Sequence, residues 1–127
     1  MVTIDGSRFI TLLTERYPEL VADFDDFTRG SVFMAMGALA RATQAAMSDE
    51  NKEVVRGYFE FIGEVFRSAT DEVKNAVYVS YLEHLSFDGK HGKRIKSREM
   101  LPPQLQQGLR GLEVYNAELF GRQKPRY

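Results

Sequence analysis

The chain has no cysteine and no tryptophan among its 127 residues. Without thiols it can form neither disulfides nor thiolate metal sites, which fits a reducing compartment. Histidine is almost as scarce. His84 and His91 are the only two, and a metal centre built on so few would need carboxylates gathered on the same face. Long apolar runs are missing as well. The longest weakly polar stretch, Ser31 to Ala40, is half of the roughly 20 residues that a bilayer-crossing helix needs. Met1 to Ser7 lack the basic start and apolar stretch of a secretory signal. These absences point to a cytoplasmic protein that does not enter the membrane. There is no Gly-rich phosphate loop either: Gly89-Lys-His-Gly-Lys93 has the composition but not the flanking strand and helix that give such a loop its chemistry. Serine, histidine and acids occur without any nucleophile arrangement. The expectation is a non-enzymatic protein without metal or cofactor.

What the chain does have is material for a core, with nine Phe and six Tyr. Its length fits one domain that needs no staples. We read residues 1–121 as a single helical domain and 122–127 as a frayed basic tail. The fold class is all-α: a compact bundle of five or six helices with one long basic loop before the last helix. Ser7 to Tyr17 places Phe9, Leu12, Leu13 and Tyr17 at helical spacing. Pro18 then opens a second helix to about Phe27, with Leu20, Val21, Phe24 and Phe27 inward. The third runs from Gly30 to Met47, and a neighbouring helix approaching closely would explain Gly37 in its middle. Ser48 serves as N-cap of a fourth helix, with Asp49 and Glu50 in its first turn. Thr70, Asp71 and Glu72 start a fifth, which continues through Leu85. The last spans Gln104 to Phe120 and stops at Gly121. Phe59, Ile62, Phe66, Val77, Tyr81 and Leu112 should be buried.

Charge is divided along the chain. Met1 to Phe87 holds 8 Lys and Arg against 14 Asp and Glu, and Asp88 to Tyr127 holds 9 against 4. The basic half is concentrated in Lys90, Lys93, Arg94, Lys96 and Arg98, with no acid between them. The acids Glu15, Glu19, Asp23 and Asp26 step by four, four and three, so a continuous helix would put them on one face with Asp25 close by. Both groups are candidate partner-binding surfaces, since complementary charge steers association. Nucleic acid is the weaker alternative for Lys90 to Arg98, because no aromatic is interleaved there. Glu60 and Glu64 share a helix face, but Arg56 and Arg67 stand at pairing distance, which reads as a solvated ion-paired face. An unrecognised pocket around Glu60, Glu64 and His84 would be the enzymatic rival. His84 reads as a cation near a helix C-terminus and His91 as a solvated loop residue.

The stretches Tyr58 to Phe66, Asp71 to Phe87 and Leu101-Pro-Pro-Gln-Leu105 resemble small all-helical bacterial proteins, several of which stand beside toxin domains as immunity proteins. The likeness extends from about Val54 to Phe120. It implies a protein that binds one cognate toxin and blocks its active site, existing as monomer or homodimer when free. No functional residue carries over from it. Immunity proteins of nuclease toxins often present acid to a basic active site, and the acidic residues here would suit that role. A regulatory or adaptor protein working through Lys90 to Arg98 is the rival of another class.

Overall fold

A computed structural model describes residues 3–123, with side chains as far as Tyr115. The chain is 78% helical, with five helices of seven or more residues and no strand among the described residues. Helix α1 is Gly6–Arg16, α2 Pro18–Val21, α3 Asp26–Arg29, α4 Val32–Ser48 and α5 Lys52–Arg67. Helix α6, Asp71–Ala76, continues as a π turn, Val77–Tyr81, and a 3-10 turn, Leu82–His84. Helices α7 (Lys90–Arg94), α8 (Ser97–Met100) and α9 (Pro103–Gln123) complete the order. None of these helices is long and apolar enough to cross a membrane.

Helix α4 is the pillar. Val32, Ala35, Met36, Ala38, Leu39, Ala40, Thr43, Ala46 and Met47 are all buried, so the helix is apolar on most of its circumference and has to be surrounded. Helices α1, α3, α5 and α6, the π turn and α7 all touch it. Helix α5 lays Val55, Phe59, Ile62 and Val65 against the core. The wider π turn brings both Val77 and Tyr81 to zero exposure, with Leu82 beside them. The Tyr81 hydroxyl meets the Thr43 hydroxyl at 2.9 Å, and Thr43 donates onward to the Leu39 carbonyl at 2.8 Å. Burial of the ring pushes the Tyr81 phenol far above its ordinary range. Ile4 pairs with the α5–α6 connection, donating to Ser68 O and accepting from Thr70 N, which ties the start of the chain to the body.

Several boundaries differ from the sequence expectations. Ser48 is the last residue of α4, not a cap. Asn51 caps α5 by accepting from Val54 N, and the acid in the first turn is Glu53. Asp49 and Glu50 instead form the corner between α4 and α5, where Glu50 N bonds Met47 O and Asn51 N bonds Ala46 O, the paired closure of a Schellman motif. The second helix breaks after Val21, because Asp25 caps a separate turn by accepting from Thr28 N. That turn leaves Phe27, expected inward, 70% exposed. Of the six residues expected in the core, Phe59, Ile62, Val77 and Tyr81 are buried, whereas Phe66 and Leu112 are half-buried.

Gly37 meets no neighbouring helix; a Cβ there would find only the flexible end of Arg41 at 3.7 Å. The close approaches lie elsewhere. A Cβ on Gly63 would fall 2.7 Å from the Pro102 ring, and one on Gly92 would fall 2.5 Å from the Phe87 carbonyl. Helix α9 runs through Gly121 to Gln123, so Gly121 is not its stop and the first two residues of the expected tail are helical. The remainder, 124–127, lies outside the described residues.

Two substitutions test this packing. Ile62→Ala should cost about 2–5 kcal/mol in denaturant unfolding, the range for emptying a core site. Gly37→Ala should do the opposite and add about 0.5–1 kcal/mol, since it removes a mid-helix glycine where space is open.

Candidate functional site

Of the basic residues expected in a loop, all but Lys96 lie on two short helices. A five-residue turn, α7, carries Lys90, Lys93 and Arg94. Lys96 follows in a left-handed conformation, φ 56°, and precedes α8, which carries Arg98. The carbonyls of Ser86 and Phe87 press on Gly92, and Ile95 and Ser97 are buried. Composition hid this: Gly89 and Gly92 read as loop punctuation, but Gly92 is where a helix meets backbone.

The structure brings acids from other elements to this segment. Arg98 is half-buried and forks between two carboxylates, at 2.7 Å from Asp88 and 2.9 Å from Glu113 of α9, while its guanidinium stands 5.7 Å from the Phe87 ring centre. The hydrogen bonds it donates to Glu113 and Asp88 hold its pKa above the ordinary arginine value. Glu50 takes a hydrogen bond from His91 Nδ1 at 2.8 Å and one from Arg94 at 3.3 Å. An ionised carboxylate only accepts, so the His91 proton sits on Nδ1. His91 is therefore a partner of the α4–α5 corner and not a solvated loop residue. Glu50 has φ 55°, a left-handed conformation that a non-glycine side chain resists. The two bonds from a single turn of α7 offset part of that resistance. They also hold the Glu50 carboxyl below its usual pKa, chiefly through the His91 bond and against desolvation. Lys90, Lys93 and Lys96 are exposed and make no salt bridge among the described residues.

The acidic residues do not share a helix face as the spacing suggested. Glu15 is on α1, Glu19 on α2, Asp23 and Asp25 in the break, and Asp26 on α3. All five are exposed. Asp25 is committed to its cap, and hydrogen bonds from Thr28, side chain and backbone, lower its pKa. The other four make no salt bridge among the described residues. A shallow groove of ≈ 350 Å³ lies along this segment, lined by Ile10, Thr14, Pro18, Val21, Ala22 and Arg29.

Glu60 and Glu64 are exposed. Glu64 pairs with Arg16 of α1 at 3.4 Å, and neither acid pairs with Arg56 or Arg67 among the described residues. Arg16 also lies 5.5 Å from the Phe61 ring centre, beside the Tyr17–Tyr58 contact at 4.9 Å. Burial raises the pKa of both tyrosines. A groove lined by Glu60, Glu64, Arg67 and Pro102 does not include His84, which is exposed at the end of the 3-10 turn. The arrangement expected of an enzymatic pocket is thus not assembled there. Among the described residues no three His, Asp or Glu side chains gather closely enough to hold a metal ion.

An all-α domain with a partly self-neutralised basic segment and an exposed acidic one is what these elements define. The family model of a domain of unknown function, DUF7674, matches residues 10–119, and the chain belongs to that family. No curated protein and no solved structure matches it.

The Glu50 contact has a measurable signature. Its folded pKa is depressed, so its contribution to stability is present above the ordinary carboxylate value and fades as pH falls through the folded value. In His91→Ala the Glu50 carboxyl, followed by carbon-13 NMR, should titrate at higher pH than in the parent chain. An unmoved titration would show that the 2.8 Å contact does not persist in solution.

Proposed function

We propose that this protein is a cytoplasmic, non-enzymatic binding protein, the immunity partner of a bacterial toxin, which it neutralises by covering a basic active site. Its docking surface is the acidic segment around Glu15, Glu19, Asp23, Asp25 and Asp26. The observation that carries this choice is the unequal fate of the two charged groups. Arg94 and Arg98 are held by Glu50, Asp88 and Glu113, so two of the five cations fasten the fold. Glu15, Glu19, Asp23 and Asp26 are exposed and have no such internal partner among the described residues. Unscreened like charge at a surface steers an opposite charge toward it. The resemblance of Val54 to Phe120 to helical immunity proteins supports the same reading.

The toxin to test is one encoded beside this gene. Co-expression should restore growth, and the two chains should form a one-to-one complex. Asp23→Lys combined with Asp26→Lys should slow association roughly tenfold at low salt and leave unfolding little changed. Asp25 is left in place because it caps α3. Lys90→Glu with Lys93→Glu should have little effect. The reverse pattern would move the docking face to α7, and protection against no neighbouring toxin would end the immunity reading.

A further inference from the structure

Helix α9 packs against the 3-10 turn, and residues of both line a cleft of ≈ 370 Å³. Its apolar lining is Leu82, Leu85 and Phe87 from the chain around the turn and Leu109 and Leu112 from α9. All of these are buried except Leu112, which is half-buried, so Leu112 is where the cleft offers apolar surface. The charged lining is Glu83, Asp88 and Glu113 against Arg98. Three carboxylates to one cation leave a surplus of two negative charges. Arg98 already donates four hydrogen bonds to Asp88 and Glu113, so most of its N–H groups are committed and little remains for an incoming anion. Glu83 is exposed and makes no salt bridge among the described residues.

We infer that this cleft is a docking site in its own right, and that its occupant is a segment of a partner protein carrying a lysine or arginine beside an aliphatic side chain. The inference goes beyond the toxin reading and does not rest on it, since none of the cleft residues belongs to the acidic segment. Charge complementarity selects the occupant. The surplus carboxylate repels phosphate, acidic peptide and anionic lipid alike, and attracts a cation. Asp88 and Glu113 are held by Arg98 before the cation arrives, so little side-chain freedom is lost when it binds. Each carboxylate oxygen keeps acceptor capacity beside its bond to Arg98. The aliphatic neighbour covers Leu112 and takes apolar surface out of water. A cation without such a neighbour would gain little from exposed pairing alone, so the two groups act together.

The test uses the full chain and short peptides of equal length. The first alternates lysine and leucine, the second lysine and serine, the third glutamate and leucine. The lysine–leucine peptide should bind roughly tenfold more tightly than either control, with amide shifts centred on residues 82–88 and 109–113. Glu83→Gln should weaken that binding and Glu83→Lys should remove most of it. Tm should stay unchanged in both, because Glu83 is exposed. Asp23→Lys combined with Asp26→Lys should leave the peptide affinity unaltered. Equal binding of the two lysine peptides would reduce the cleft to bare charge and overturn the inference. So would preference for the glutamate peptide, shifts centred on residues 15–26, or Glu83→Lys and Glu83→Gln binding as the parent does. A concentration-dependent dimer that Glu83→Lys dissolves would make a second copy of this chain the occupant and overturn it too.

Discussion

A helix that is apolar on most of its circumference must be enclosed, and α4 imposes that demand on everything else. Its alanines at 35, 38, 40 and 46 are short, so neighbouring helices and the π turn can come close without a glycine. Thr43 is the exception in this environment, a fully buried hydroxyl. It is satisfied by the Leu39 carbonyl and the Tyr81 hydroxyl. A buried donor or acceptor left unmade costs more than a made bond gains, so Tyr81 has to reach Thr43, and the π turn sets it there. The first helix, the acidic segment and α7 are then the elements that close around the pillar from outside.

Periodicity exposes most of this framework. The apolar stripe of α5, with Val55, Phe59, Ile62 and Val65, is plain in the residues, and the Thr70-Asp71-Glu72 start lies where α6 begins. The end of α4 is obscured by local chemistry that admits two solutions. Ser48 with Asp49 and Glu50 has the composition of a helix start, yet Asn51 caps equally well, and only packing decides between them. The break after Val21 is similar: the spacing through Phe27 continues a helix, while Asp25 can cap a new turn. A short polar side chain competing for backbone N–H groups won at both places. Phe66 and Leu112, at the margins of their stripes, show that periodicity gives a face but not the depth at which the face ends.

The candidate site was less legible because charge has meaning only with its partners. Five basic residues in nine read as a free patch. Glu50 is forty-one residues from His91, and Glu113 fifteen from Arg98, so no window along the chain could join them. Arg98 spans Asp88 and Glu113 and lies against Phe87, coupling α8, the preceding turn and α9. Individual exposed pairs contribute little, typically under about 1 kcal/mol. A fork in which one guanidinium serves two carboxylates and an aromatic face has fewer ways to dissolve than three separate pairs. Its effect is to hold the 86–98 segment in place more than to add greatly to global stability.

The same argument, run in reverse, gives the acidic segment its character. Glu15, Glu19, Asp23 and Asp26 are spread over a helix, a short turn, a break and another turn, so the order that would let helical neighbours pair with them is interrupted. One interruption lies at Tyr17, between α1 and α2; the next comes from Asp25, whose carboxylate holds the Thr28 N–H at 2.7 Å and starts α3. Starting that turn is also what leaves Phe27 in solvent. That capping bond therefore belongs to the short turn that carries both the exposed ring and Asp26. A chain selected only for stability gains nothing from leaving that ring exposed, since burying it would recover on the order of 1.5–3 kcal/mol. The exposed ring is a consequence of where the chain breaks between Val21 and Asp26 and not of apolar packing.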